Sequence, residues 1–261
     1  MTKKQTVKGV CRICGQNKIL TEEHVIPRKA GGGTRIKLYS GNELLKALGS
    51  QKPYGEIKQN GHAEYTLCAG CNNLSGHIYD EDFANFFNIF AIQVPPNITI
   101  PKNTDPEEYL ENKKLDIMLM GVKPFNVAKR ILVSFCSVDY PGLTDRKPEI
   151  RRAILDKDYH PKTNSFSLYL GLHVGNISFF ATQAVMLHPF SAPVFEAFAG
   201  IETDILAFYF SGHNEHLKGG HLTKCVDITT WLRKYSYNEI VNLRLELMFN
   251  RSLTLRFPVP S

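Results

Sequence analysis

The spacing of apolar residues changes along the chain, and these changes predict a mixed α+β fold. Apolar positions recur at helical spacing in Asn72–Phe90 and again in Phe125–Ser137. Four other segments are rich in β-branched and aromatic residues and are expected to form strands: 166–172, 177–187, 205–210 and 253–259. Residues 239–249 fit either a helix or a strand. The apolar stripe of the first helix is expected to dock an N-terminal module on a C-terminal body.

A proline-rich segment predicts where the two parts meet. Residues 94–106 contain four prolines among residues of extended type, and proline cannot continue a helix. We therefore expect an N-terminal module over residues 1–93, a linker over residues 94–106 and an α+β domain over residues 107–261. The role expected for the last domain is target recognition or self-association.

Composition separates the same two parts. All 16 phenylalanines lie beyond residue 80, and the single tryptophan is Trp231, so the first 80 residues have little from which to build a core. A segment of this kind commonly needs a staple such as a metal ion. It carries 12 Lys and Arg against 6 Asp and Glu, whereas the rest of the chain carries 19 of each. The net charge of +6 therefore lies in the first third, where it favours a polyanionic partner, although it also serves solubility.

The sequence has no run of 18 apolar residues, and no apolar segment follows its N-terminal lysines. These features predict no membrane partner and no secretory signal, and hence a cytoplasmic protein. Six cysteines in such a chain are more typical of metal binding or of the core than of disulfides.

Four of the cysteines form two pairs with the spacing of zinc ligands. The pairs are Cys11 with Cys14 and Cys68 with Cys71. Two intervening residues allow both thiolates of a pair to reach one ion from a tight turn, so the two pairs predict a tetrahedral structural zinc site. The alternatives are a redox dithiol or four buried cysteines. Cys136 and Cys225 have no partner at this spacing and are expected in the core.

The segment between the pairs and the residues after the second pair carry an ordered set of motifs. The chain reads CRICG, EEHVIPRKAGGG and CAGCNN in that order. This set resembles the HNH, or ββα-metal, endonuclease family. The family pattern is a cysteine pair, an acidic residue before a histidine, a proline soon after, a Gly-Gly turn, and a cysteine pair followed by Asn or His. The resemblance covers roughly residues 11–90 and says nothing about residues 106–261.

The resemblance implies a role for each residue of these motifs. His24, on the first strand of a hairpin, is the general base. Glu23 and Asn72, the latter at the start of the following helix, hold a catalytic Mg²⁺ or Mn²⁺ that is separate from the structural zinc. The residues expected to bind nucleic acid are Arg28, Lys29, Arg35 and Lys37. The implied reaction is phosphodiester hydrolysis that leaves a 5′-phosphate and a 3′-hydroxyl.

Several positions leave alternatives open. Glu23 stands where the family usually has Asp, so Glu22 is a substitute as metal ligand. Asn72 or Asn73 would also serve as a helix cap. The middle Asn of the family pattern has no clear match. Asn60 and His62 are nearby and Asn42 is further off, His62 would alternatively assist, and His77 is expected outside the direct metal ligands.

Together these features predict a metal-dependent HNH endonuclease that cleaves DNA, of the kind that serves restriction or phage defence. The alternatives are a non-catalytic zinc module that only binds nucleic acid and an HNH-type nuclease that acts on RNA. A homo-oligomer is compatible with each of these. Lys129 and Arg130, in the second predicted helix, are expected either to extend a DNA track or to form a solvated face.

Overall fold

A computed structural model of the chain describes residues 6–33, 35–38, 54–94, 109, 113–138, 142–161, 165–174, 179–187, 195–203, 206–212 and 224–251. Within these residues the fold combines three β-sheets with five α-helices, which confirms the α+β prediction. None of the helices described there has the length and apolar character needed to span a bilayer.

The N-terminal part is a small antiparallel sheet that leads directly into a long helix. Its elements are β1 (Val7–Val10), β2 (Asn17–His24), β3 (Ile36–Leu38), β4 (Glu56–Lys58), β5 (Ala63–Cys68) and α1 (Ala69–Gln93). Strands β1, β2 and β5 form one sheet in that order, and β3 pairs with β4. Leu20 lies opposite Cys68, and His24 lies opposite Ala63. The β2–β5 pair therefore extends from the second cysteine pair to the histidine.

The C-terminal part is a seven-stranded sheet with four helices. Its elements are β6 (Lys114–Val122), α2 (Pro124–Val138), α3 (Leu143–Arg146), α4 (Pro148–Leu155), β7 (Ser167–Val174), β8 (Phe179–Leu187), β9 (Phe195–Thr203), β10 (Leu206–Ser211), β11 (Val226–Asp227), α5 (Trp231–Lys234) and β12 (Val241–Arg251). The strand order is β6-β12-β7-β10-β9-β8, and β11 pairs with β7. Strand β12 is antiparallel to β6 and parallel to β7.

Most of the predicted elements are confirmed. The two predicted helices correspond to α1 and α2, and the strands predicted over 166–172, 177–187 and 205–210 correspond to β7, β8 and β10. The ambiguous segment 239–249 is a strand, because Leu245, Leu247 and Phe249 are buried while the residues between them are more exposed. The predicted strand 253–259 and residues 95–106 of the predicted linker lie outside the described residues.

Helix α1 packs the N-terminal sheet onto the rest of the chain, as its apolar stripe predicts. Phe83 and Phe86 are fully buried, and the Phe86 ring meets Trp231 edge-on with the centroids 5.9 Å apart. The Phe83 ring lies 5.7 Å from that of Phe208. Leu74 and Ile78, in the first turns, are only half-buried. One continuous apolar core extends from the first cysteine pair to β12.

The prediction that Lys129 and Arg130 form a DNA track or a solvated face is wrong. Both side chains are buried, since α2 is covered on all sides and packs against α1, α4 and α5. The Lys129 ammonium donates to the carbonyls of Asp156 and Lys157 at 2.7 and 2.9 Å. Arg130 instead reaches into the N-terminal part.

Candidate metal centre and adjoining histidine

The four paired cysteines converge on one point. Their sulfurs all lie within 4.8 Å of one another, and the sulfurs of Cys14 and Cys68 are 3.9 Å apart. A tetrahedral ion with Zn–S bonds of about 2.3 Å needs sulfurs about 3.8 Å apart. In the part of the chain that the structure describes, no other group of three or more Cys, His, Asp or Glu is close enough to share an ion. The four thiols therefore form a site that can bind zinc.

Local backbone structure sets this geometry. The first pair lies in a turn closed by the Gly15 N–H, which donates to the Cys11 carbonyl at 2.8 Å. Gly15 has a φ of +73°, a region that favours glycine. The Arg12 N–H donates to the Thr66 carbonyl at 3.0 Å, which brings the turn beside β5. The second pair lies where β5 ends and α1 begins, with Cys68 as the N-cap residue.

The pKa values of the thiols in this site differ from one cysteine to another. A hydrogen bond from Cys71 lowers the pKa of Cys11 to about 4, against the effect of burial. The same hydrogen bond, together with burial, raises the pKa of Cys71. The hydrogen bond between the two thiols therefore favours one thiolate in this pair. A divalent cation among the four sulfurs would favour the thiolate form of the others as well.

His24 lies at the end of β2, which pairs with both β1 and β5. Its Nε2 accepts a hydrogen bond from Nε of Arg28 at 2.7 Å, so the proton of the neutral ring is on Nδ1. Nδ1 is buried and has no hydrogen-bond partner within the described ranges. Burial, and then the Arg28 cation, lower the pKa of His24, while the Gly32 carbonyl opposes them. The imidazole is therefore neutral at neutral pH, with its lone pair on Nε2.

Glu23 points into the protein and pairs with an arginine from the C-terminal part. It is 7% exposed, and its Oε1 accepts a hydrogen bond from Nη2 of Arg130 at 2.8 Å. Burial raises the pKa of Glu23, whereas Arg130 lowers it. Glu22, the substitute ligand, is exposed, and its carboxylate lies 4.0 Å from the Arg28 guanidinium.

Asn72 ties the start of α1 to β2. Its Nδ2 donates to Oγ1 of Thr21 at 3.0 Å and to the carbonyl of Glu22 at 3.1 Å, next to Glu23 and His24. Its Oδ1 accepts no hydrogen bond from any residue the structure describes. The alternative of a helix cap at Asn72 or Asn73 is wrong, because the N-cap is Cys68 and α1 begins at Ala69.

Close backbone packing requires glycine at Gly32, in the run after His24, and at Gly61. A Cβ at Gly32 would lie 1.7 Å from the Ile26 carbonyl oxygen. A Cβ at Gly61, whose φ is +76°, would lie 1.8 Å from the carbonyl oxygen of Gly32. The chain therefore folds back tightly behind His24, and the N–H of Val25 donates to the carbonyl of His62 at 3.2 Å.

The remaining candidates lie around this centre. Arg28, Lys29 and Arg35 are exposed, and Lys29 lies 3.6 Å from Glu81. Lys37 lies in β3, and Asn60 is exposed in the turn between β4 and β5. His62 pairs with Glu64 at 2.8 Å, and Asn73 and His77 are exposed on α1. The pairing lowers the pKa of Glu64. The side chain of Lys37 and all of Asn42 lie outside the described residues.

Sequence reasoning did not identify the polar residues of helices α1 and α2 that form a network with the end of β2. Arg130, Ser134 and Asp80 belong to a network that contacts Glu23 and the backbone of β2. A signal was present, since the two cations interrupt a helix rich in apolar residues, and cations that are buried in such a helix need polar partners. The identity of those partners depends on contacts between residues more than 100 positions apart.

Comparison with family models, with curated proteins and with solved structures finds no match to this chain. Fold and site therefore define an α+β protein with a four-cysteine site that can hold a metal ion at one end of the β2–β5 pair, and with a neutral histidine and a buried carboxylate at the other end.

Proposed function

We propose that this chain is an HNH-type endonuclease that hydrolyses phosphodiester bonds of DNA, with zinc held by the four cysteines. The observation that supports the proposal best is the β2–β5–α1 unit. In this unit His24 ends a strand, Asn72 lies in the first turn of the helix, and the four cysteine sulfurs gather at the junction of β5 with α1. Zinc at the sulfurs would fix the helix against the strand pair and has no direct part in the reaction.

In this proposal His24 is the general base. Its Nε2 lone pair takes the proton of an attacking water after Arg28 turns from the imidazole to a phosphate of the substrate. Arg28, Lys29 and Arg35 are exposed cations that bind the nucleic-acid backbone. A divalent cation held by oxygens of Glu23 and Asn72 would supply positive charge for the leaving oxygen.

Cleavage of supercoiled plasmid in Mg²⁺ or Mn²⁺ tests the proposal. We expect wild type to nick the plasmid and His24→Ala to be at least about 100-fold slower, since a general base contributes about 10²–10⁴-fold. His77→Ala is the matched control, because His77 is an exposed histidine on α1. Equal zinc content in the three proteins would exclude loss of fold. Absence of cleavage by wild type, on plasmid and on folded RNA, would contradict the proposal.

One observation favours a second function, a zinc module that binds nucleic acid without cleaving it. An arginine occupies an acceptor atom of two of the three proposed catalytic side chains, namely Arg28 on His24 and Arg130 on Glu23. This function predicts that wild type and His24→Ala retain DNA equally and that neither nicks it. Cleavage of folded RNA but not of plasmid would instead assign the same site to RNA.

A further inference from the structure

The buried side chain of Arg130 joins helix α2 to the candidate site. It is 1% exposed, and each of its three guanidinium nitrogens donates a hydrogen bond. Nη2 donates to Oε1 of Glu23 at 2.8 Å and to the carbonyl of His24 at 3.0 Å. Nε donates to Oδ1 of Asp80 at 2.6 Å, and Nη1 donates to Oγ of Ser134 at 2.9 Å. Four acceptors on three separate segments therefore converge on one cation.

A second contact from α2 reinforces the first. The hydroxyl of Ser134 donates to the carbonyl of Val25 at 2.6 Å. Helix α2 thus contacts three consecutive residues at the end of β2, namely Glu23, His24 and Val25. These contacts fix the strand where the proposed base and the proposed metal ligand lie.

The charges of this network do not balance. One guanidinium faces two carboxylates, and the Glu23 carboxylate is buried while that of Asp80 is about one-third exposed. Arg130 bonds one oxygen of each carboxylate, Oε1 of Glu23 and Oδ1 of Asp80. Burial and the nearby Asp80 carboxylate raise the pKa of Glu23, and a cation at its second oxygen would oppose that shift. A buried ion pair adds little stability compared with packed apolar residues, so its presence here favours a positional role.

We infer that Arg130 is a positioning residue that holds the Glu23 carboxylate by one oxygen, so that the other oxygen is left to bind a divalent cation. This inference rests on the proposed function and adds to it a residue from outside the motif-bearing segment. Lysine cannot replace Arg130, because an ammonium lacks the planar fork that reaches four acceptors in fixed directions.

The test measures Mn²⁺ binding to the full-length, zinc-loaded protein by electron paramagnetic resonance. We expect Arg130→Lys to weaken Mn²⁺ binding about 10- to 100-fold, as loss of a residue that orients a metal ligand typically does. The control is Arg151→Lys, since Arg151 also bonds the N-terminal part, through the Ile13 carbonyl at 2.9 Å, and bonds neither Glu23 nor His24. The control should bind Mn²⁺ within about twofold of wild type.

A double variant asks whether Arg130 acts through Glu23. Glu23→Gln and the double variant Glu23→Gln, Arg130→Lys should bind Mn²⁺ equally weakly, because the carboxylate that Arg130 orients is absent from both. If Arg130→Lys does not fold, Ser134→Ala tests the same network with the charge retained. It should weaken Mn²⁺ binding at least about threefold.

Each outcome separates this inference from the proposed function. Mn²⁺ affinity of Arg130→Lys equal to that of wild type, or additive losses in the double variant, would overturn the positioning role even if wild type cleaves DNA. Binding of Mn²⁺ that weakens as expected, without cleavage of any nucleic acid, would overturn the endonuclease proposal and support the positioning role. Failure of wild type to bind Mn²⁺ would overturn both.

Discussion

The protonation state of His24 decides at which pH the proposed site is active. Burial and the Arg28 cation both lower the pKa of His24 from its usual value of 6.5. A base with a lowered pKa stays unprotonated to a lower pH, so the acidic limb of the cleavage profile should lie below pH 6.5. Cleavage rates of wild type between about pH 5 and pH 8 measure this limb. A limb above pH 7 would show that another group titrates.

Removal of Arg28 should move this limb to higher pH. A nearby cation disfavours the imidazolium, so its loss raises the pKa of His24 and leaves the base protonated at a pH where wild type is active. The variants to compare are Arg28→Ala and Lys29→Ala, since Lys29 is an adjacent exposed cation that lies near Glu81. Both should lose rate through the phosphate contact, but only Arg28→Ala should shift the limb. Equal limbs in the two variants would contradict the Arg28–His24 contact.

At the scale of the elements, the tight backbone turn after His24 predicts different effects on stability for substitutions at two adjacent glycines. A Cβ at Gly32 would lie 1.7 Å from a backbone oxygen, whereas a Cβ at Gly33 would meet only the Arg28 side chain at 3.5 Å. Gly32→Ala should therefore lower the free energy of unfolding by about 2 kcal/mol or more, as backbone strain does. Gly33→Ala should change it by less than about 1 kcal/mol.

Chemical denaturation of both variants measures the difference. Comparable stability of the two would mean that the backbone around Gly32 is not packed against Ile26 as the structure has it.

The elements also show what sequence patterns can and cannot predict. Helices α1 and α2 are predicted because their apolar residues recur within a single segment, and the four cysteines because short spacings restrict where thiols point. The sequence of β12 stays ambiguous between helix and strand, because the alternation of its buried and exposed residues depends on pairing with β6 and β7. The pairing of Arg130 with Glu23 joins residues 107 positions apart, and no local pattern encodes it. Tertiary contacts therefore decide the support of the site.

At the scale of the whole molecule, the four-cysteine site is part of the continuous apolar core. Loss of the metal should therefore destabilise structure beyond the four cysteines. Cys11, Cys68 and Cys71 are buried members of the core that also includes Phe83 and Phe86. We expect about one zinc per chain by elemental analysis, because four sulfurs complete one tetrahedral site. Removal of zinc by a chelator should first expose the amides of residues 6–33 and 54–80 to hydrogen exchange. A metal-free protein with unchanged exchange would contradict a structural zinc.

The central claim is that the four cysteines would hold one ion where β5 meets α1, and that oxygens of Glu23 and Asn72 would hold a second ion for the reaction in which His24 is the base. Anomalous diffraction from crystals soaked in Mn²⁺, collected at the zinc and manganese edges, tests this claim most directly. The account predicts a zinc peak among the sulfurs of the four paired cysteines. It also predicts a manganese peak in contact with oxygens of Glu23 and Asn72. A four-cysteine site without zinc, or manganese bound only away from His24, would contradict it.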